Sequence, residues 1–302
     1  MTDSAVAVPE QPPHRLPALV RLVRPGQWLK NSFVVAAPLA AGRLFEDPIW
    51  WRTLVAALAF ALVAAAVYVL NDLRDQDDDR RHPVKRHRPI ASGEVAPRAA
   101  GALLAVTAAA GLGLAVWLSW GLAAIVAVYA AFQVAYSLGL KHLPIIDLAL
   151  VAAGFLLRAV AGGVATGIPL THWFLLVAGF GSLFIVAGKR YSELVALGPE
   201  AGTRRSLARY TVSFLRTTWS MAATLVVASY SLWAFDQGDG NWLGLPWAAL
   251  SIAPFTLAIL AYARVVDSAQ AEKPERALAR DPVFLVMGAL WFACAALAIF
   301  TR

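Results

Sequence analysis

Asn71-Asp72-Leu73-Arg74-Asp75-Gln76-Asp77-Asp78-Asp79 follows directly on an apolar stretch from Trp50 to Leu70. Five carboxylates packed into eight residues repel one another unless a cation holds them. Hard divalent cations take carboxylate oxygens together with substrate phosphates, so magnesium carrying a diphosphate is the natural guest. On a helix Asp72, Asp75 and Asp79 stand at i, i+3 and i+7 and share one face, with Asn71 beside them. A solvated acidic loop is the plainer reading, but loops at a cytoplasmic membrane face are normally rich in Lys and Arg instead.

Bases follow the acids closely: Arg74, Arg80, Arg81, Lys85, Arg86 and Arg88, with Glu94 completing the cluster. Carboxylates for a metal and cations for phosphate oxygens make a chemically complete diphosphate site. Pro83, Pro89 and Gly93 break the helix, so this loop can fold back over the span end. His82 and His87 have no zinc-ligand spacing and read as solvated. A second polar cluster is Tyr136-Ser137 with Lys141 and His142, then Asp147 and Arg158. Eleven residues are close to three helical turns, which puts Asp147 and Arg158 on one face with Arg158 about 16 Å deeper. An arginine at that depth is costly, and it is either a structural partner or the floor of a polar cavity that takes a phosphate. The third cluster is Gly188-Lys189-Arg190-Tyr191-Ser192-Glu193-Leu194, followed by Arg204, Arg205, Arg209 and Tyr210. Lys189 and Glu193 can pair at i, i+4, yet the surplus of bases favours a second anion-binding wall.

The elements that must hold these clusters are membrane helices. Hydrophobic residues make up 59% of the chain and charged ones 15%, against about a quarter charged in soluble domains. Nine stretches approach the roughly twenty residues a bilayer requires: 28–42, 50–70, 97–117, 119–138, 144–166, 171–188, 213–235, 242–262 and 282–301. The fold expected is an all-α, polytopic bundle with a polar cavity facing the cytoplasm. With the N-terminus inside, every Lys and Arg except Arg43, Arg52, Arg158 and Arg302 is cytoplasmic, and the outer 235–241 loop is acidic. The positive-inside rule therefore places the N-terminus and all three clusters in the cytoplasm and the C-terminus outside the cell membrane.

Residues 1–27 form a cytoplasmic segment without a signal sequence, and 28–302 form the membrane domain. Leu16, Leu19, Val20 and Val23 share a face with Arg15, Arg21 and Arg24 nearby, the pattern of a short helix lying on the bilayer. Cys294 is the single cysteine, so disulfides play no part. The net charge of +7 reflects topology and anionic ligands. Nucleic acid is not an expected partner, because no soluble domain exists to carry a binding face.

NDxxDxxxD at the end of a second span, within a nine-span chain, resembles the UbiA superfamily of intramembrane prenyltransferases. The resemblance covers nearly the whole chain. Arg24-Pro25-Gly26-Gln27-Trp28-Leu29-Lys30-Asn31, Tyr136-Ser137 with Lys141, and Gly188 to Leu194 resemble most the branch that transfers phosphoribose to decaprenyl phosphate. Prenyl diphosphate users of the superfamily carry a second aspartate motif on the sixth span, where this chain has Lys189, Arg190 and Glu193. The resemblance thus implies a membrane-embedded transferase that takes phosphoribosyl pyrophosphate and a polyprenyl phosphate, feeding arabinan synthesis for the cell wall. It implies Mg2+ on Asp75 and Asp79 with Asn71 and Asp72. Arg158 and Lys141 would meet the lipid phosphate, and Lys189, Arg190 and Lys30 the donor. Lys85, Arg86, Tyr136, Asp147, Tyr191 and Glu193 complete the expected substrate-binding set. A homo-oligomer is compatible with all of this. Two other readings stay open: an aromatic prenyltransferase with a polyprenyl diphosphate donor, and a transporter of an anionic lipid or metabolite. Against the transporter, the chain shows no internal repeat.

Overall fold

The structure, a computed structural model, describes residues 16–82, 84–197, 207–237, 244–268 and 280–300. Arg15, Pro83, Arg204, Arg205 and Arg302, which figure in the sequence reading, lie outside the described residues. Within them every regular element is helical. In chain order these are α1 (Ala18–Leu22), a run of 3-10 turns (Pro25–Val35), α2 (Ala36–Ala40), α3 (Ile49–Arg74) and α4 (Gln76–Arg81). Then come α5 (Pro97–Leu118), α6 (Trp120–Leu138), α7 (Ile146–Thr166), α8 (His172–Leu197) and α9 (Val212–Asp236). The last are α10 (Trp247–Leu250), α11 (Ile252–Asp267) and α12 (Pro282–Phe300).

Seven helices among the described residues are long and apolar enough to cross a membrane. Two of the nine expected spans fall outside that group. One is 213–235, which is a full-length helix, α9, made more polar by Arg216, Thr217, Thr218, Ser220 and Ser229. The other is 28–42, where a continuous helix was expected and the chain instead forms 3-10 turns, then five residues of α-helix. Pro38 sits inside α2, and it removes a backbone donor that a continuous helix over 28–42 would use.

Helix α3 is the most enclosed of the spans. Its alanines at 56, 59, 61, 64, 65 and 66 are buried, and such small side chains let neighbouring helix backbones approach closely without lipid between them. Gly111 of α5 meets it at that distance, since a Cβ there would collide with Val63 and the Ala59 carbonyl. One apolar core joins α3, α5, α6 and α7 around Phe60, Leu122, Val126 and Tyr129. A second joins α7, α8, α9 and α11 around Phe184, Tyr191, Leu215 and Trp219. Helix α7 belongs to both, and it carries Asp147 and Arg158.

The 25–40 segment is pressed against α7 at Gly162. A Cβ at Gly162 would overlap the Val34 carbonyl oxygen. Gly162→Ala is therefore expected to lower stability by about 1–3 kcal/mol, the usual cost of overpacking, read as a lower melting temperature in detergent. An unchanged melting temperature would mean the segment yields at no cost.

Tryptophans mark the helix ends remote from the aspartates. Trp51 at the start of α3 packs on Trp117 at the end of α5, centroids 6.0 Å apart. Trp173 at the start of α8 donates to Asp236 at the end of α9. Indole rings prefer the membrane–water boundary, so these contacts outline one bilayer surface.

Candidate active site

Each polar cluster stands where a helix end or an unusual backbone holds it. Helix α3 runs unbroken to Arg74, Asp75 caps it, and α4 resumes at Gln76. The four side chains read as metal ligands consequently diverge. Asp72 is 2% exposed and accepts from Arg24 Nη2 at 2.6 Å and Arg88 Nη1 at 3.1 Å. The same Arg88 nitrogen donates to Asp79 at 2.7 Å, so one guanidinium bridges both carboxylates. Asp75 is turned elsewhere: its side chain is 38% exposed and lies 3.6 Å from Lys141 Nζ. Asn71 is half-buried, Asp77 pairs with Arg80 at 3.2 Å, and Asp78 is exposed.

Among the described residues no three acidic, His or Cys side chains converge as a metal cluster. Asp72 and Asp79 are both buried against Arg88, and Asp75 faces Lys141. Together with Asn71 these carboxylates offer only oxygen donors, spread over about two helical turns. Oxygen donors of this type suit a hard cation.

The bases of the loop divide as well. Lys85 is half-buried, while Arg86 is exposed and donates to His87. His82 is not merely solvated, because its Nδ1 accepts from the backbone N–H groups of Val84 and Lys85. Arg21 of α1 pairs with Glu94. Leu22 packs with Val69, Ile90 and Val95, which ties α1 to the loop and to the end of α3. Leu16 and Leu19 stay exposed, as a helix lying on a membrane requires.

The second cluster closes on itself. Asp147 is 0% exposed and accepts from Tyr136 Oη at 3.0 Å, Arg190 Nε at 3.0 Å and Arg190 Nη2 at 3.3 Å. The third nitrogen of Arg190 donates to Glu193 at 3.3 Å. Two carboxylates thus engage all three nitrogens of Arg190. Arg190, expected to meet the donor phosphate, here forms a buried ion pair that joins α7 to α8. Lys189, the neighbouring base, is half-exposed. Lys30 on the 25–35 segment is exposed too.

Tyr191, also expected to touch substrate, faces the opposite way. Its hydroxyl donates to Asp267 Oδ1 at 2.9 Å and accepts from Arg216 Nη2 at 2.6 Å. Those partners sit on α11 and α9, so Tyr191 braces the second core rather than lining the site.

Arg158 is 5% exposed. It does not floor an open cavity, because its three nitrogens are engaged. Nε donates to Asn31 Oδ1 at 2.8 Å, Nη1 to the Gly154 carbonyl at 2.7 Å, and Nη2 to Tyr129 Oη at 2.9 Å. The face of Tyr129 lies 4.6 Å away and that of Phe60 5.6 Å.

Two non-glycine residues with positive φ flank these clusters: Arg24 at 50° and Ile145 at 69°. The β-branched Ile145 is the costlier, and such strain persists only where surroundings enforce it. The Ile145 N–H donates to Tyr210 Oη at 2.9 Å, which fixes the turn that delivers Asp147. Burial pushes the Tyr210 hydroxyl pKa up, so it stays protonated there. Sequence reasoning did not single out Arg88 from the bases of the cluster, and it missed Arg24 as a member of the aspartate site and Asn31 and Tyr129 as partners of Arg158.

Residues 32–288 match the UbiA prenyltransferase family. The chain belongs to that family. Among its UbiA-type relatives, the decaprenyl-phosphate phosphoribosyltransferase of Mycobacterium tuberculosis is 46% identical over 96% of this chain and 97% of its own length. The protein of the same name from Corynebacterium glutamicum is 44% identical over 96% and 89%. A UbiA homolog from Archaeoglobus fulgidus, solved with GPP and Mg2+, superimposes with a TM-score of 0.69. It covers 93% of this chain and 98% of its own at 17% identity, a likeness of fold. The all-α UbiA bundle expected from the sequence is therefore the fold of this chain.

Proposed function

We propose that this protein transfers 5-phosphoribose from phosphoribosyl pyrophosphate to a polyprenyl phosphate, decaprenyl phosphate in the first instance, and releases pyrophosphate. The observation that carries the reading is near-full-length identity of 43–46% to decaprenyl-phosphate phosphoribosyltransferases. The end of α8 supports it. Lys189 and Arg190 stand where a prenyl diphosphate user would need a second acidic motif, and the one carboxylate of that motif, Glu193, accepts from Arg190.

The bond between the ribose anomeric carbon and the diphosphate oxygen breaks, and one to a lipid phosphate oxygen forms. Positive charge develops on the ring, as in other glycosyl transfers. The acceptor is a phosphate monoester with a second pKa of roughly 6, mostly dianionic at neutral pH. It attacks without a general base. The protein's work is to bring two anions together, and Lys141, Lys189, Lys30 and Lys85 are the cations with exposed or half-exposed side chains at hand. Arg24 and Arg88 already counterbalance Asp72 and Asp79, and the same guanidiniums can turn to diphosphate oxygens. Asn71, Asp75 and Asp79 would hold magnesium, which supplies Lewis-acid stabilisation of the leaving diphosphate. The positive-inside count supports a cytoplasmic site, with the tryptophan-marked surface facing outward, and the product would enter arabinan synthesis.

Radiolabelled phosphoribosyl pyrophosphate with polyprenyl phosphate should give a lipid-soluble product with the purified protein. Prenylation of an aromatic acid instead would favour the other branch of the family. Lys189→Ala tests donor recognition. A 5-phosphate remote from the leaving group needs its own cation, and losing a hydrogen bond to a charged group costs about 1.5–3 kcal/mol, roughly tenfold or more in affinity. Affinity for the full donor is expected to fall by that factor, and affinity for a donor without the 5-phosphate to hold. Equal losses would exclude Lys189 as the reader of that phosphate.

A further inference from the structure

Arg158 poses a problem that the transfer reaction does not solve. Its guanidinium lies inside a membrane helix, and among the described residues no carboxylate comes within ion-pair distance. Neutral oxygens and aromatic faces hold the charge instead. A phosphate entering here would have to displace Asn31, Tyr129 or the Gly154 carbonyl and pass the rings of Phe60 and Phe155. Those contacts come from four different elements. Phe60 belongs to α3, Tyr129 to α6, Gly154 and Phe155 to α7, and Asn31 to the segment before α2.

That last partner is the one with least support of its own. Eleven residues in 3-10 turns is long for a conformation with poor hydrogen-bond geometry. Its location therefore depends on contacts from outside. Asn31, itself 4% exposed, supplies a side-chain anchor to Arg158. The Val34 carbonyl pressed on Gly162 is a second contact, one turn further along. At the other end of the segment stands Arg24, held at positive φ with its guanidinium on Asp72 and over the Tyr68 ring. Asn31 follows Arg24 by seven positions. A shift at Asn31 is passed to Arg24 and hence to the aspartates.

We propose that Arg158 is a positioning residue: through Asn31 it fixes the Pro25–Val35 segment on α7 and so sets Arg24 against the aspartate end of α3. Arginine suits the task because its rigid planar fork fixes the directions of its donors, here to Asn31, to Tyr129 of α6 and to the Gly154 carbonyl of its own helix, whereas a lysine ammonium is a compact charge on a flexible stem. The consequence is a division of effects. When the segment is in place for only a fraction of the time, apparent affinity for whatever Arg24 helps to bind falls by that fraction. The soluble donor should feel it and the lipid acceptor should not. This functional half rests on the phosphoribosyl-transfer reading. The structural half does not.

The full-length protein in nanodiscs carries both tests. Hydrogen exchange across residues 25–35 should quicken about tenfold or more in Arg158→Gln and in Asn31→Ala, and should stay slow in Asn31→Asp, where a carboxylate pairs with the guanidinium. The KM for phosphoribosyl pyrophosphate should rise about tenfold in each single variant and no further in Asn31→Ala/Arg158→Gln, because both remove the same link. The KM for polyprenyl phosphate should stay put. A raised acceptor KM in Arg158→Gln, with Asn31→Ala like the parent, would overturn the proposal and make Arg158 a lipid-phosphate ligand. Unchanged exchange in Asn31→Ala would overturn it equally, and that variant decides the matter if Arg158→Gln does not fold. A parent that transfers no phosphoribose would sink the reaction reading alone, leaving the exchange experiment to judge the positioning.

Discussion

Asp75→Asn and Asp79→Asn are each expected to lose turnover by about two orders of magnitude or more, the usual result of removing electrostatic stabilisation from a transition state. Asp75 should do so with its fold intact. Its side chain is 38% exposed, its nearest cation is Lys141 at 3.6 Å, and ion pairs of that exposure contribute little to stability. Asp79 is buried against Arg88, so its amide variant is expected to cost some stability as well. Asp72→Asn differs in kind. It strips the charge from a buried carboxylate held by Arg24 and Arg88, so a large drop in melting temperature should accompany its loss of activity. Magnesium dependence is the companion measurement: chelator should abolish transfer and added magnesium restore it. Full turnover in excess chelator, or in Asp75→Asn, would remove the metal from this cluster.

The sequence shows some of this plainly and hides the rest for identifiable reasons. Long apolar stretches and the asymmetry of Lys and Arg reveal a membrane bundle without reference to any contact. The aspartate run is legible because its ligands are close in sequence. Arg24 is not legible, since 48 residues separate it from Asp72 and nothing local pairs the two. Arg88 appears in the sequence as one of six similar bases, and only the fold shows which of them reaches both Asp72 and Asp79. Spacing correctly puts Asp147 and Arg158 on one helix, but not that each is closed off by partners from other helices. The 188–194 motif misleads for a geometric reason. Neighbouring residues on a helix point about 100° apart, as 3.6 residues per turn requires. Arg190 and Tyr191 therefore reach α7 and α11 respectively, although they are adjacent in the chain.

Removing either partner of the Asp147–Arg190 pair is expected to be the most damaging change in the second half of the bundle. Asp147→Ala leaves a buried guanidinium with only Glu193 for a counter-charge, and Arg190→Ala leaves a fully buried carboxylate with only the Tyr136 hydroxyl. Breaking a buried pair in this way typically costs about 3–5 kcal/mol, because the surviving charge is stranded. Each single variant should therefore melt far below the parent or fail to assemble. Replacing both partners with apolar residues of similar size strands no charge, and such exchanges are often neutral in stability. Asp147→Leu/Arg190→Met should accordingly recover most of the lost melting temperature. Its activity then separates two roles that the single variants confound. If the pair only joins α7 to α8, donor affinity returns along with the fold. A double variant that melts like the parent yet binds phosphoribosyl pyrophosphate weakly would show that Arg190 also reads the donor, so that its carboxylate partners release it when the phosphate arrives.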